Sequence, residues 1–79
     1  MNVKKVYDLK VALENITDPV NLELTAKELQ EIPDELFKHE AIYGLGLGYN
    51  KFVSIPSNIS KLTELISLSF SNNPVEKVS

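Results

Sequence analysis

Acidic residues and a single histidine are the side chains of this chain whose types suit catalysis or metal binding. Four carboxylates form a short acidic run: Glu28, Glu31, Asp34 and Glu35. Paired carboxylates can act as acid and base, but this run falls in a predicted loop and turn with no pocket, which indicates a solvated face. His39 lies in an apolar pattern, and the chain has no second histidine and no cysteine to share a metal or activate a nucleophile with it. We interpret His39 as a structural residue at the edge of the core.

Small residues occupy every second position in two segments of the chain. One segment has Ser67, Ser69 and Ser71, and the other has Gly44, Gly46 and Gly48. No motif supplies the base that a serine nucleophile needs. The glycines are spaced by two residues and lead to Tyr49, so they do not form the glycine-rich turn that cradles a phosphate. The sequence therefore predicts a protein that is not an enzyme, with no catalytic residue, no cofactor and no metal ion.

The sequence has a period of 23 residues. This period predicts the strands and turns that position the glycines and serines. Apolar residues recur at this spacing in four columns: Leu22, Leu45 and Leu68; Leu24, Leu47 and Phe70; Leu29, Phe52 and Val75; Ile32, Ile55 and Val78. Pro33 and Pro56 follow in step. A period of this length is typical of a solenoid, in which each unit buries its apolar face against its neighbours.

Within each period, the apolar residues first alternate and then recur every three or four positions. Alternation predicts strands with one buried face near residues 21–25, 44–48 and 67–71. The strands are predicted to be parallel because each returns by the same crossover. The three-residue spacing after the prolines predicts a helical or 3₁₀ turn on the far side of the sheet.

The N-terminal segment has a different apolar spacing. One helical stripe collects its apolar residues: Val6, Leu9, Ala12, Leu13 and Ile16. We therefore predict an amphipathic helix over residues 3–16. Asp18-Pro19 ends this helix, because the residue before a proline avoids helical backbone angles.

The middle of the chain carries the most specific pattern, Ile42-x-x-Leu45-x-Leu47-x-x-Asn50-x-Phe52-x-x-Ile55-Pro56-x-x-Ile59-x-x-Leu62. It resembles a leucine-rich repeat of the 23-residue LxxLPxxL type. Residues 65–79 are similar to the first two thirds of another repeat, and residues 19–41 to a degenerate first copy. Two positions depart from the pattern: Lys27 stands in the column of Asn50 and Asn73, and His39 replaces the leucine seen at Leu62.

The resemblance implies a fold and a general function. The implied fold is a short right-handed α/β solenoid with a three-stranded parallel sheet. Residues 1–18 would form an N-terminal helical cap, followed by two and a half leucine-rich repeats at 19–41, 42–64 and 65–79 in one folding unit. The helix in front resembles the caps of short intracellular, often bacterial, members of the family. The implied function is cytoplasmic protein–protein binding, with a partner of unknown identity.

Period two places the three glycines on the concave face, because Leu45 and Leu47 point inward. The predicted partner-binding surface is this nearly bare face with its adjoining loops: Asn21, Glu23, Thr25, Gly44, Gly46, Gly48, Tyr49, Ser67, Ser69, Ser71 and Asn72. The glycine-bearing strand near residues 44–48 has two interpretations. Its open face either accepts a bulky side chain or a second sheet from a partner, or contacts nothing. Three strands make a patch on the order of 200 Å², whereas a stable interface needs roughly 800 Å² per partner. Binding therefore requires further surface.

Charge and length exclude two classes of partner. The net charge of −3 provides no basic stripe for nucleic acid, and no apolar run has the length of a membrane span. An alternative function is a structural or self-assembling unit, or a fragment of a longer repeat protein, that associates through an uncapped C-terminal end. Apolar residues would line that end: Leu65, Leu68, Phe70, Val75 and Val78. Covering roughly 400 Å² there contributes up to about 10 kcal/mol.

Overall fold

A parallel sheet of four strands, in the order β1-β2-β3-β4, organises the computed structural model, which describes residues 3–75. The strands are β1 (Lys4–Val6), β2 (Val20–Glu23), β3 (Ile42–Gly46) and β4 (Ser67–Ser69). The connections contain the α-helix α1 (Leu9–Leu13) and the 3₁₀ helices η1 (Asp34–Lys38) and η2 (Ser57–Lys61). The predicted parallel pairing and the 3₁₀ turns after the two prolines are confirmed. None of the helices between residues 3 and 75 has the length and apolar character needed to cross a bilayer.

The N-terminal segment differs from the prediction of one helix over residues 3–16. Lys4–Val6 form a strand that pairs with β2, so that Lys5 lies beside Asn21. The helix occupies only Leu9–Leu13. The sheet therefore has four strands and not three. The reason is that the backbone of β1 finds partners on the edge of β2, a long-range gain that outweighs the local apolar spacing.

The core lies between the sheet and the two 3₁₀ helices. Its most deeply buried residues are Leu22, Leu36, Leu47 and Phe52, all at most 1% exposed. The rings of Phe52 and Phe70 meet edge to face, with centroids 5.2 Å apart and an interplanar angle of 82°. Aromatic pairs in this arrangement contribute stabilisation beyond the area that they bury.

Burial falls off towards β4. Leu22 and Leu45 are 0% and 3% exposed, whereas Leu68, which lies beside Leu45 on the next strand, is 40% exposed. No strand lies beyond β4 among residues 3–75. Val78, the last residue of the fourth apolar column, lies outside the described residues.

Asn50 holds the turn that follows β3. Its Nδ2 donates hydrogen bonds to the carbonyl oxygens of Leu24 at 2.9 Å and Leu47 at 3.0 Å. Its Oδ1 accepts from the backbone N–H groups of Lys27 at 2.8 Å and Leu29 at 3.1 Å. The buried amide thus satisfies backbone groups of two successive turns.

Asn73 makes the corresponding contacts 23 residues later. Its Nδ2 donates to the carbonyl oxygens of Leu47 at 2.8 Å and Phe70 at 2.9 Å, and its Oδ1 accepts from the N–H of Phe52 at 3.1 Å. Each of these atoms lies 23 positions beyond its counterpart around Asn50. Asn73 therefore repeats the hydrogen bonds of Asn50, except that its Oδ1 accepts one N–H where Oδ1 of Asn50 also accepts that of Lys27.

Candidate functional site

A groove of about 340 Å³ lies on the face of the sheet that carries the glycines. Six of the residues predicted to bind a partner line it: Asn21, Glu23, Gly44, Gly46, Ser67 and Ser69. They come together because the parallel register aligns them across three strands. Asn21 lies beside Gly44 and Gly44 beside Ser67, and the next row outward is Glu23, Gly46 and Ser69. Successive residues of a strand face opposite sides of the sheet, so both rows share one face.

The glycines of this face are covered and not bare, which corrects the prediction. The side-chain amide of Asn21 lies over Gly44, and the carboxylate of Glu23 lies over Gly46, where an added Cβ would collide with it. Both glycines are buried. The missing side chains leave room into which the longer side chains of β2 lean, so the floor of the groove is polar.

Five predicted residues do not line the groove but lie in the turns that follow the strands: Thr25, Gly48, Tyr49, Ser71 and Asn72. Thr25 still contacts it indirectly, since its Oγ1 donates to Oε2 of Glu23 at 3.2 Å. Gly48 packs closely, with the Ser71 carbonyl oxygen 3.3 Å from the position of a Cβ. Tyr49 is 64% exposed.

Sequence reasoning missed five residues of the groove: Val3, Lys5, Tyr43, Leu45 and Ile66. Lys5 comes with β1, the strand read as part of a helix. Tyr43 and Ile66 are spaced by 23 residues, a signal that was present in the sequence but does not belong to any of the four buried columns. Ile66 is 85% exposed, the highest value among the large apolar residues described.

The groove combines complementary binding groups. Lys5 supplies an ammonium, Glu23 a carboxylate and Asn21 an amide, while the serines supply hydroxyls and Tyr43 and Ile66 apolar surface. These groups suit hydrogen bonding to a peptide backbone together with burial of an apolar side chain. Across residues 3–75, no group of three His, Cys, Asp or Glu side chains is arranged to hold a metal ion.

His39 lies away from the groove and is 5% exposed. Its Nδ1 accepts the backbone N–H of Ala41 at 3.0 Å, while its Nε2 has no hydrogen-bond partner within the described part of the chain. Burial lowers the pKa of His39 below its usual 6.5, and the nearby backbone of Asn15 and the carboxylates of Asp18 and Glu40 offset part of this effect. The ring is therefore held neutral as a packing group.

Replacement of His39 by the leucine seen at the matching position 62 is expected to remove a pH dependence of stability. Below pH 6.5 the unfolded chain binds a proton at His39 that the folded chain resists, so the wild type loses stability as the pH falls until the lowered pKa is passed. His39→Leu lacks this loss. Urea unfolding of both proteins between pH 7.5 and 5 measures this effect. The free energy of unfolding of His39→Leu, relative to that of the wild type, should increase as the pH falls. A difference in the free energy of unfolding that does not change with pH contradicts the lowered pKa of His39.

Left-handed backbone recurs at the turns after the strands. Ala26, Tyr49 and Asn72 have φ angles of 58°, 54° and 62°, again spaced by 23 residues. This conformation suits glycine and asparagine and costs other residues roughly 1 kcal/mol. Tyr49 is thus held in an unfavourable backbone conformation while its ring remains exposed, a combination that marks candidate binding residues.

We expect Tyr49→Gly to raise the free energy of unfolding by about 0.5–1 kcal/mol, because glycine adopts the left-handed conformation without strain. Asn72→Gly is the matched control, since asparagine already tolerates φ near 60°, and it should change stability by less than about 0.5 kcal/mol. Chemical denaturation followed by circular dichroism measures both. A destabilised Tyr49→Gly would show that the ring makes contacts that outweigh the backbone strain.

Comparisons with protein-family models, with curated proteins and with solved structures gave no match to this chain.

Proposed function

We propose that this protein is a non-enzymatic protein-binding module, built as a short leucine-rich-repeat solenoid, whose open-face groove holds an extended segment of a partner protein. The alignment of Lys5, Asn21, Gly44 and Ser67 across all four strands carries the proposal. It places donors, acceptors and an apolar rim on one surface without a nucleophile–base pair.

Contacts spaced by 23 residues support the solenoid. The strands follow one another in sequence order within a parallel sheet, and the hydrogen bonds of Asn50 recur at Asn73. Repeat architectures stack equivalent units in this manner. A cytoplasmic location belongs to the same proposal.

The groove indicates what kind of segment it holds. Tyr43 and Ile66 border it at the start of the strands, so an apolar side chain of the partner would lie against them. Glu23, the serine hydroxyls and the Lys5 ammonium would bond the partner's backbone or polar side chains. A cavity of about 340 Å³ is at the lower end of the range for small-molecule sites. Its lining comes from all four strands on one face of the sheet, which favours a peptide segment that crosses them.

Affinity capture with matched variants tests the proposal. Ser69→Arg fills the groove from an exposed position, whereas Ser57→Arg adds the same charge at an exposed position on η2. The tagged wild type and Ser57→Arg should retain a common protein from a lysate of the source cells, and Ser69→Arg should lose at least tenfold of it. Tyr49→Ala reports whether the adjoining turn contributes. Equal retention by Ser69→Arg and Ser57→Arg would remove the groove from consideration.

A further inference from the structure

The two edges of the sheet differ in their protection against pairing with another strand. The β1 edge carries Lys4 and Lys5, both exposed, and edge lysines discourage strand addition because pairing would bury their charges. The β4 edge consists of Ser67, Leu68 and Ser69, which are uncharged and all exposed. Only the β4 edge is therefore chemically open to another strand.

The side of the molecule next to β4 also carries unburied apolar surface. Leu68 is 40% exposed and Ile55 is 44% exposed, whereas the residues 23 positions earlier, Leu45 and Ile32, are each 3% exposed. Those earlier residues are covered by the following segment of chain, so Leu68 and Ile55 face the side where a further layer would pack. With Ile66, 85% exposed, these three residues expose roughly 300 Å² of largely apolar surface, less than half of what one partner of a stable complex buries.

We propose that β4 pairs antiparallel with β4 of a second copy of this chain and so forms a closed, weak homodimer. The carbonyl oxygens of Ser69 and Ser71 accept hydrogen bonds from Leu47 and Tyr49 on the side of β3, at 2.8 and 3.0 Å. Because alternate residues of a strand direct their backbone groups to opposite edges, the N–H and C=O of Leu68 point outward. Two copies of Leu68 exchange both hydrogen bonds across a two-fold axis.

This pairing is self-complementary. Ser67 of one copy lies opposite Ser69 of the other, and the Leu68 side chains meet on the buried face, so no like charges oppose each other. Head-to-tail addition would instead place Lys4 and Lys5 against β4 and continue without closing. The open faces of the two copies lie on the same side, so the groove of each copy continues into that of the other. The dimer itself does not require a ligand in either groove.

Sedimentation equilibrium between about 5 µM and 1 mM tests the proposal on purified protein. The mass should rise from the 8.9 kDa of the monomer towards twice that value, with a dissociation constant on the order of 10–100 µM, as expected of a small interface. A wild type that remains monomeric over this range overturns the proposal. A monomeric wild type would also be the result if residues 76–79 or a different protein covered the β4 edge, and the proposal would be equally wrong in that case.

Charge-swap variants test the antiparallel register. S67K/S69K and S67E/S69E change exposed positions, and each should be monomeric because every substituted residue faces a like charge in the second copy. Mixing the two should restore a dimer, since each lysine then faces a glutamate. Lys4→Arg with Lys5→Arg at the other edge keeps the charges that protect it, so this variant is the control and should leave the dimer unchanged. Self-association of either charged variant at the wild-type level, or loss of the dimer in the β1 control, overturns the proposal. Neither readout depends on partner capture by the groove.

Discussion

Asn50→Ala should lower the free energy of unfolding by about 3–5 kcal/mol, a large share of the 5–15 kcal/mol that a domain typically has. The Asn50 side chain is 6% exposed and bonds backbone groups on both sides of the turn, including the carbonyl oxygens of Leu24 and Leu47. Alanine leaves the carbonyl oxygen of Leu24 and the N–H groups of Lys27 and Leu29 without these partners, whereas the carbonyl oxygen of Leu47 still accepts from Asn73. The result is expected as a shift of the urea midpoint with little change in its slope.

Asn73→Ala is the control for this prediction. Asn73 bonds its own turn in the same pattern but lies in the more exposed turn after β4. Water can replace part of its hydrogen bonds, so we expect a loss of about 1–2 kcal/mol. Equal losses in the two variants would show that burial does not determine how much the Asn50 side chain contributes to the free energy of unfolding.

Phe52→Ala should destabilise the protein by a similar amount, about 3–5 kcal/mol. The Phe52 ring is 1% exposed and lies in edge-to-face contact with Phe70. Its removal leaves a cavity and exposes the partner ring. Thermal unfolding by calorimetry, or chemical unfolding by circular dichroism, measures the loss.

Val53→Ala, at the next position, provides the comparison for Phe52→Ala. Val53 is 57% exposed, so its truncation should change the free energy of unfolding by less than about 0.5 kcal/mol. A loss at Phe52 below about 1.5 kcal/mol would contradict the packing of the core. That packing holds the rear face of β3 and therefore the groove in front of it.

Much of the sheet was predictable because apolar residues alternate with polar or small ones along its strands, and this alternation shows which residues face the core. Leu22, Leu24, Leu45 and Leu47 alternate with polar or small residues, and this alternation located β2 and β3 to within a few positions. β1 was not predictable on the same basis. Lys4–Val6 is a three-residue strand with one buried residue, and such a short segment has no period of its own. Its pairing with β2 is a long-range contact that local spacing does not contain.

The groove was predictable in its position but not in its surface. Alternation placed Gly44 and Gly46 on the open face with Asn21 and Glu23 beside them. It did not reveal that the two longer side chains lean over the glycines, because strand periodicity fixes the face of a residue and not the direction of its side chain along the sheet. Lys5 was missed together with β1. Leu68 was predicted to line an uncapped C-terminal end, but the contrast between the uncharged β4 edge and the lysine-bearing β1 edge required the structure, because β1 was not predicted.

Amide chemical shifts of the three glycines offer the most direct test of the groove as the binding surface. Gly44, Gly46 and Gly48 are the only glycines in the chain, and two of them line the groove. Titration of ¹⁵N-labelled protein with the partner recovered by affinity capture should shift the signals of Gly44 and Gly46 strongly. The signals of η2, from Ser57 to Lys61, should remain in place. Shifts confined to η2, with both groove glycines unmoved, would contradict the proposed function.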